Sequence, residues 1–325
     1  MSIAIFRKGE MDRVSGGPIL RRPKIGIALG AGVARGWAHI GALQALVEIG
    51  VKPDVVVGAS VGAVVGGCFA AGKLDALEEF ARSLTKRNVF SFLDFSFNGG
   101  GLIGGDKLRR RLETALGAMR IEDLPIRFAG VATEIGDGHE VWLRTGPLVE
   151  AMRASYALPG VFEPVRINGR WLFDGAIVNP VPVNVARALG ADRVIALSIG
   201  SDGAGRGATL HESIPHEPPA PRPVLKQGVM DGLRRRGLWM RRAWATDDDN
   251  APGMAAVMVN TFNITQDRIM RSRLAGDPPD FLLNMKTGRF GLFEFHRAAE
   301  LIDVGRSAVR RAKDEIFEQL ELESA

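Results

Sequence analysis

Apolar residues fall into short runs broken by glycine turns, and the runs switch between strand and helix spacing. From Lys24 onward the pattern predicts a strand over Ile25–Leu29, a glycine-rich turn, a helix over about 35–49, a strand over 54–57, a tight turn at 58–62 and a helix over about 61–71. Two strand-turn-helix units in succession imply a parallel sheet covered by helices. Further strands are expected at 126–133, 139–143 and 194–199, and helices at 107–116, 148–156 and 183–189. The run Gly190-Ala191-Asp192-Arg193 reads as a helix-to-strand return.

After Gly200 the pattern stops. Residues 201–223 are dense in glycine, proline and polar side chains, with no period that packs a core, and read as a loop or linker. In 229–244, Val229, Leu233, Met240 and Trp244 fall roughly on one helical face and Arg234, Arg235, Arg241 and Arg242 on the rest. Such a stretch suits a membrane surface and equally a solvated helix docked on the protein's own core; Gly232 and Gly237 weaken both readings. Periodicity returns over 254–274, a strand is expected at 281–285 and a last helix from about 294. The expected organisation is an N-terminal arm (1–23), a main core (24–200), an insert (201–250) and returning elements of the same domain (251–325).

With 325 residues, 46% hydrophobic and 24% charged, the chain can bury a sizeable core. One cysteine, Cys68, excludes an internal disulfide framework and any multi-cysteine metal cluster; in its apolar run it reads as a small buried side chain. Charges scattered through the first 24 residues leave no apolar stretch for a secretory signal, and no window is long and apolar enough for a spanning helix. The expectation is a cytoplasmic protein with peripheral membrane contact. The net charge of +5 favours an anionic partner. Dispersed basic residues, with no zinc-finger spacing and no aromatic-rich RNA-reading motif, favour a lipid surface over nucleic acid.

Three local patterns carry chemistry. Gly58-Ala59-Ser60-Val61-Gly62 is a G-x-S-x-G sequence between an apolar strand and a helix of small residues, the setting of a nucleophile elbow. Gly58 and Gly62 relieve crowding around Ser60, and the helix N-terminus directs N–H groups toward developing negative charge. Upstream, Gly30-Ala31-Gly32-Val33-Ala34-Arg35-Gly36 also joins strand to helix. Arg35 stands where a dinucleotide loop needs its third glycine, so an oxyanion-stabilising loop fits better than a cofactor cradle, and no cofactor or metal is expected. Trp171-Leu172-Phe173-Asp174-Gly175 is an apolar strand ending on an Asp-Gly turn, which by itself is an ordinary structural pair.

Taken in order, these three segments resemble the hallmark motifs of the patatin-like phospholipase family, and the run from Ser155 to Pro164 resembles the family's segment between nucleophile and aspartate. The resemblance covers about 24–199, and 254–308 is similar to the tail of the bacterial branch related to neuropathy target esterase. It implies a three-layer α/β fold with a central, mostly parallel sheet flanked by helices. It also implies a Ser60–Asp174 dyad without histidine, an oxyanion hole from the loop Gly30, Ala31, Gly32, Val33, Arg35 and Gly36, with Gly175 completing the Asp-Gly pair, and a phospholipid or lysophospholipid substrate. The family loop commonly carries glycine where Ala31 and Val33 stand; their N–H groups still donate provided the backbone does not demand positive φ there. Two other readings stay open: a conventional α/β-hydrolase triad of Ser60, Asp174 and His296, and a lipid-binding protein that keeps the fold without activity. Of the other histidines, His39, His139, His211 and His216, none is placed by a motif.

Overall fold

A computed structural model describes residues 22–87, 106–200 and 254–321. The insert expected over 201–250, its basic amphipathic stretch and nearly all of the N-terminal arm lie outside these residues. The strands are β1 (Ile25–Leu29), β2 (Pro53–Ala59), β3 (Arg127–Glu134), β4 (Glu140–Leu143), β5 (Val165–Ile167), β6 (Arg170–Asp174), β7 (Arg193–Gly200) and β8 (Phe281–Lys286). The helices are α1 (Ala38–Glu48), α2 (Val61–Ala70), α3 (Leu74–Ser83), α4 (Asp106–Leu116), α5 (Leu148–Tyr156), α6 (Val183–Ala188), α7 (Met254–Gly276), α8 (Ala298–Arg311) and α9 (Lys313–Leu320).

All eight strands form one sheet, in which β1 runs parallel to both β2 and β7, β2 parallel to β3, and β7 parallel to β8. The sheet is therefore mostly parallel, but β4, β5 and β6 add an antiparallel flank that strand spacing alone did not indicate. Strand β8 buries Phe281, Leu283 and Met285 and exposes the residues between them, as expected of an edge strand with one covered face.

Side-chain size sorts the two faces of the sheet. In β1, Ile25, Ile27 and Leu29 point into the larger core with α1, α2, α5 and α8, whereas Ala28 lies in a second cluster of small residues under α6 and the end of α7. Helices on both faces of the sheet make three layers. Helix α1 lies between sheet and α8 and is buried almost all round, which is why its apolar residues do not form a single stripe. The expected helix over 35–49 begins instead as a 3-10 turn, Val33–Trp37. The short amphipathic helix α3 and the β5–β6 hairpin were not anticipated, although Asn168-Gly169 is a strong hairpin signal and both residues adopt positive φ (50° and 81°), as a type I′ turn requires.

Helices α1 and α8 touch backbone to backbone. A Cβ on Gly41 would collide with the Ile302 carbonyl, and one on Gly305 with the Ala38 carbonyl. Each glycine costs its helix about 1 kcal/mol relative to alanine, and the close contact offsets that. Gly305→Val is expected to lower unfolding stability by about 3 kcal/mol through overpacking. Gly276→Ala, whose added methyl meets nothing within 4 Å, is expected to stay within about 0.5 kcal/mol of the parent in urea titrations.

Candidate active site

Ser60 sits between β2 and α2 with φ 55° and ψ −128°, a region non-glycine residues avoid at a cost of roughly 1–3 kcal/mol. The flanking glycines make the turn sterically feasible. A Cβ on Gly58 would strike the Gly62 carbonyl, and a Cβ on Gly62 the Leu29 carbonyl. The turn is held by Ser155 on α5, which is fully buried: its Oγ donates to Val131 O (2.6 Å) and accepts from Ser60 N (3.0 Å).

Asp174 closes β6, and the Ser60 hydroxyl donates to its Oδ2 at 2.7 Å. Its Oδ1 accepts from Ala176 N at 2.9 Å, its backbone N donates to Ala157 O at 3.0 Å, and its carbonyl accepts from the Thr133 hydroxyl at 2.9 Å. Gly175 follows because a side chain there would collide with the Val131 carbonyl. The two residues meet because of how β3 is paired. Ala59 of β2 lies opposite Val131, and Asp174 of β6 opposite Ala132. Residues 130–131 pair with β2 and β4 together, and residues 132–133 with β4 and β6 together, so β6 takes over the β3 edge where β2 leaves it.

Asp174 is 1% exposed and Ser60 7%. Burial pushes the Asp174 carboxyl up from 3.8 to about 7, against the opposing pull of the bonds from Ala176 and Ser60. A carboxylate with that affinity for protons is suited to exchange one near neutral pH.

In the glycine-rich loop, the amides of Gly30 and Ala31 are spent on Leu197 O and Pro180 O, and those of Ala34 and Arg35 on Leu292 O and Gly32 O. This leaves Gly32 and Val33, among the described residues, as the loop N–H groups without a backbone acceptor. Val33 adopts φ 52°, so the loop does demand positive φ at a position where a β-branched residue is strained. The Arg35 Nε donates to Phe290 O (2.8 Å), tying the loop to the segment after β8, and Gly36 lies against the Val61 side chain. His39, wholly buried on α1, is paired through Nε2 with Gly30 O (2.8 Å); burial lowers its pKa to about 4, so the neutral ring donates to that carbonyl. Its position makes it a brace beneath the loop.

An apolar pocket of about 110 Å³ opens beside Ser60, lined by Val33, Trp37, Val64, Phe80, Leu158 and Phe162 among others. Both Asp174 oxygens are occupied, one directly by the Ser60 hydroxyl, which leaves no imidazole between them. His296 lies in the short 3-10 turn Phe295–Arg297 and makes no hydrogen bond to either residue. His139 is exposed near Asp137, and His211 and His216 lie outside the described residues. Ser60 and Asp174 are thus in direct hydrogen-bond contact, and Val33 of the loop lines the pocket beside Ser60. Ser155 lies in the segment matched by resemblance, whereas no local pattern singles out Thr133 or His39. Cys68 is buried and its thiol pushed up to about 12, consistent with a packing role. Among the described residues no helix is long and apolar enough to cross a membrane.

The patatin-like phospholipase family profile matches residues 27–187. An uncharacterized NTE family protein of Mycobacterium tuberculosis (strain ATCC 25618 / H37Rv) is 36% identical over 341 residues, covering 93% of this chain and 94% of that protein. Human patatin-like phospholipase domain-containing protein 6 is 33% identical over 190 residues, covering 56% of this chain but 14% of the human protein. The crystal structure of VipD from Legionella pneumophila superposes with a TM-score of 0.52 at 13% identity, covering 91% of this chain and 67% of VipD; it shares the fold. With near full-length similarity to the mycobacterial protein and the profile match over both motif-bearing strands and the Asp-Gly turn, the chain belongs to the patatin-like phospholipase family, in its NTE-related branch.

Proposed function

We propose that this protein hydrolyses carboxylic esters of lipids, phospholipids or lysophospholipids foremost, through an acyl-enzyme on Ser60. The observation that carries the reading is the 2.7 Å hydrogen bond from the Ser60 hydroxyl to a buried carboxylate, at the mouth of an apolar pocket. In the proposed reaction Asp174 takes the Ser60 proton as Oγ attacks the ester carbonyl. The N–H groups of Gly32 and Val33, with the N-terminus of α2, stabilise the oxyanion. Collapse expels the alcohol, which leaves with the proton from Asp174. Asp174 then deprotonates a water that attacks the acyl carbon, and the fatty acid departs as Ser60 recovers its proton. The apolar pocket suits the acyl chain. The net charge of +5 supports contact with an anionic lipid surface.

Ser60→Ala and Asp174→Asn are each expected to lower kcat on a lysophospholipid or a soluble nitrophenyl ester by about 10³-fold or more, with the fold intact. A fluorophosphonate probe is expected to label the parent and not Ser60→Ala. Failure to label the parent under conditions that modify other serine hydrolases would favour a lipid-binding protein without turnover.

The base must be ionised, so kcat/KM should rise with pH through about 7 and fall roughly tenfold per unit well below it. A profile flat from pH 5 to 8 would exclude Asp174 as base.

The same carboxyl lowers stability. Below about pH 4 it is protonated whether the chain is folded or not. Between 3.8 and about 7 the unfolded chain releases the proton first, and the folded state loses up to about 4 kcal/mol, complete above pH 7. Asp174→Asn, neutral throughout, is therefore expected to melt above the parent at pH 8, with the gap narrowing toward pH 5. Thermal melts at the two pH values test the sign.

A further inference from the structure

The turn that carries Asp174 is anchored by a buried side chain outside the dyad. Asn179 is 1% exposed, and its amide nitrogen donates to Glu140 Oε1 on β4 and to Asn184 Oδ1 on α6, both at 2.8 Å. A carboxylate only accepts, so the atom facing Glu140 is the nitrogen and the orientation of the amide is fixed. Glu140 is itself held. The same oxygen accepts from Trp142 Nε1 at 2.8 Å, and its Oε2 accepts from Arg273 Nη2 of α7 at 3.1 Å. Strand β4 and helices α6 and α7 therefore converge on residue 179.

The backbone around Asn179 reaches both halves of the site. Its own N–H donates to Gly175 O at 2.9 Å, closing the turn in which Ala176 N holds Asp174 Oδ1. The next carbonyl, Pro180 O, accepts from Ala31 N at 3.0 Å. Gly30 packs so closely there that a Cβ on it would lie 3.0 Å from the Val181 side chain. Residues 175–180 thus join the turn of Asp174 to the glycine-rich loop. The proline ring locks φ at 180, so a displacement at Asn179 is passed on to that carbonyl. Asn179 makes no hydrogen bond to either side chain of the dyad and does not line the apolar pocket beside Ser60.

We infer that Asn179 is a positioning residue of this site: anchored on Glu140, it sets the Asp174 turn and the Pro180 carbonyl together, and so holds the base and the oxyanion loop in one fixed relation. This rests on the hydrolase reading and adds to it a residue that acts through others. Since it orients the reacting groups and leaves the acyl pocket alone, its loss falls on kcat and spares KM.

The test uses the full chain with nitrophenyl hexanoate. Asn179→Leu, close in volume and without donors, is expected to lower kcat by about 10²-fold with KM within about twofold of the parent. The midpoint of the kcat/KM pH profile is expected to move above about 7, because a slackened turn weakens the Ala176 bond that opposes the effect of burial. Reversing polarity supplies a rescue. Asn179→Asp sets two carboxylates against each other and is expected to be at least as damaging, whereas adding Glu140→Gln restores the hydrogen bond with donor and acceptor exchanged and recovers about tenfold. Should the variants at 179 fail to fold, Glu140→Met, which removes the anchor at a partly exposed position, is expected to show the same split at about fivefold. A folded variant with kcat within about twofold of the parent, a rise in KM that matches the loss of kcat, or no recovery in the double variant would overturn the proposal.

Amide hydrogen exchange reads the same coupling without turnover. In the folded variant the amides of Ala31 and Ala176 are expected to exchange faster together, with those of α8 unchanged. Unchanged exchange at either amide would also overturn the proposal. Coupled acceleration, joined to a parent that hydrolyses no ester, would count against the hydrolase reading alone.

Discussion

One edge of strand β3 is shared end to end by two partners, and the contact between Ser60 and Asp174 depends on that handover. Strand β2 occupies the edge as far as Ala59 opposite Val131, and β6 arrives from the other direction with Asp174 opposite Ala132. Both chains leave their strands at this point and must pass within a few ångströms of each other, and the residues at the two ends are Ser60 and Asp174. Around this point the structure has little freedom: Ser155 and Thr133 hold the two backbones, and glycines at 58, 62 and 175 permit contacts that a methyl group would block.

Burial at the junction has opposing effects. It aligns serine and carboxylate without competing water, and it also makes ionised Asp174 costly, so that the carboxyl titrates near neutrality. Backbone strain accumulates at the same place, with Ser60 and Val33 both at positive φ. Such strain persists only where surrounding structure over-determines it. Here the larger core under α1, α2 and α8 does so, together with the bonds that occupy four loop amides and leave Gly32 and Val33 pointing to other use.

The loop also separates an apolar pocket beside Ser60 from a second cavity of mixed lining. Its residues serve both, with successive positions 32 and 33 facing different cavities. Helix α7 lines the second cavity with amide and apolar side chains, and it belongs to the part of the chain after the long segment that separates it from β7.

Local chemistry was enough to read the strands β1, β2 and β7, helix α2, the elbow around Ser60 and the loop before α1, because each depends on alternation, small residues and turn glycines within a dozen positions. The Asn168-Gly169 turn was equally legible and would have revealed the hairpin that delivers Asp174. Other features had no local trace. The aspartate's proton affinity arises from burial by distant elements, and Val33's positive φ from the closure of its loop against Leu292 and Leu197. Sequence by itself determined which groups were available and the strand ends that carry them. Only tertiary structure decided that two of them meet in a hydrogen bond, because that contact is set by strand register across more than a hundred residues, and register is a property of the assembled sheet.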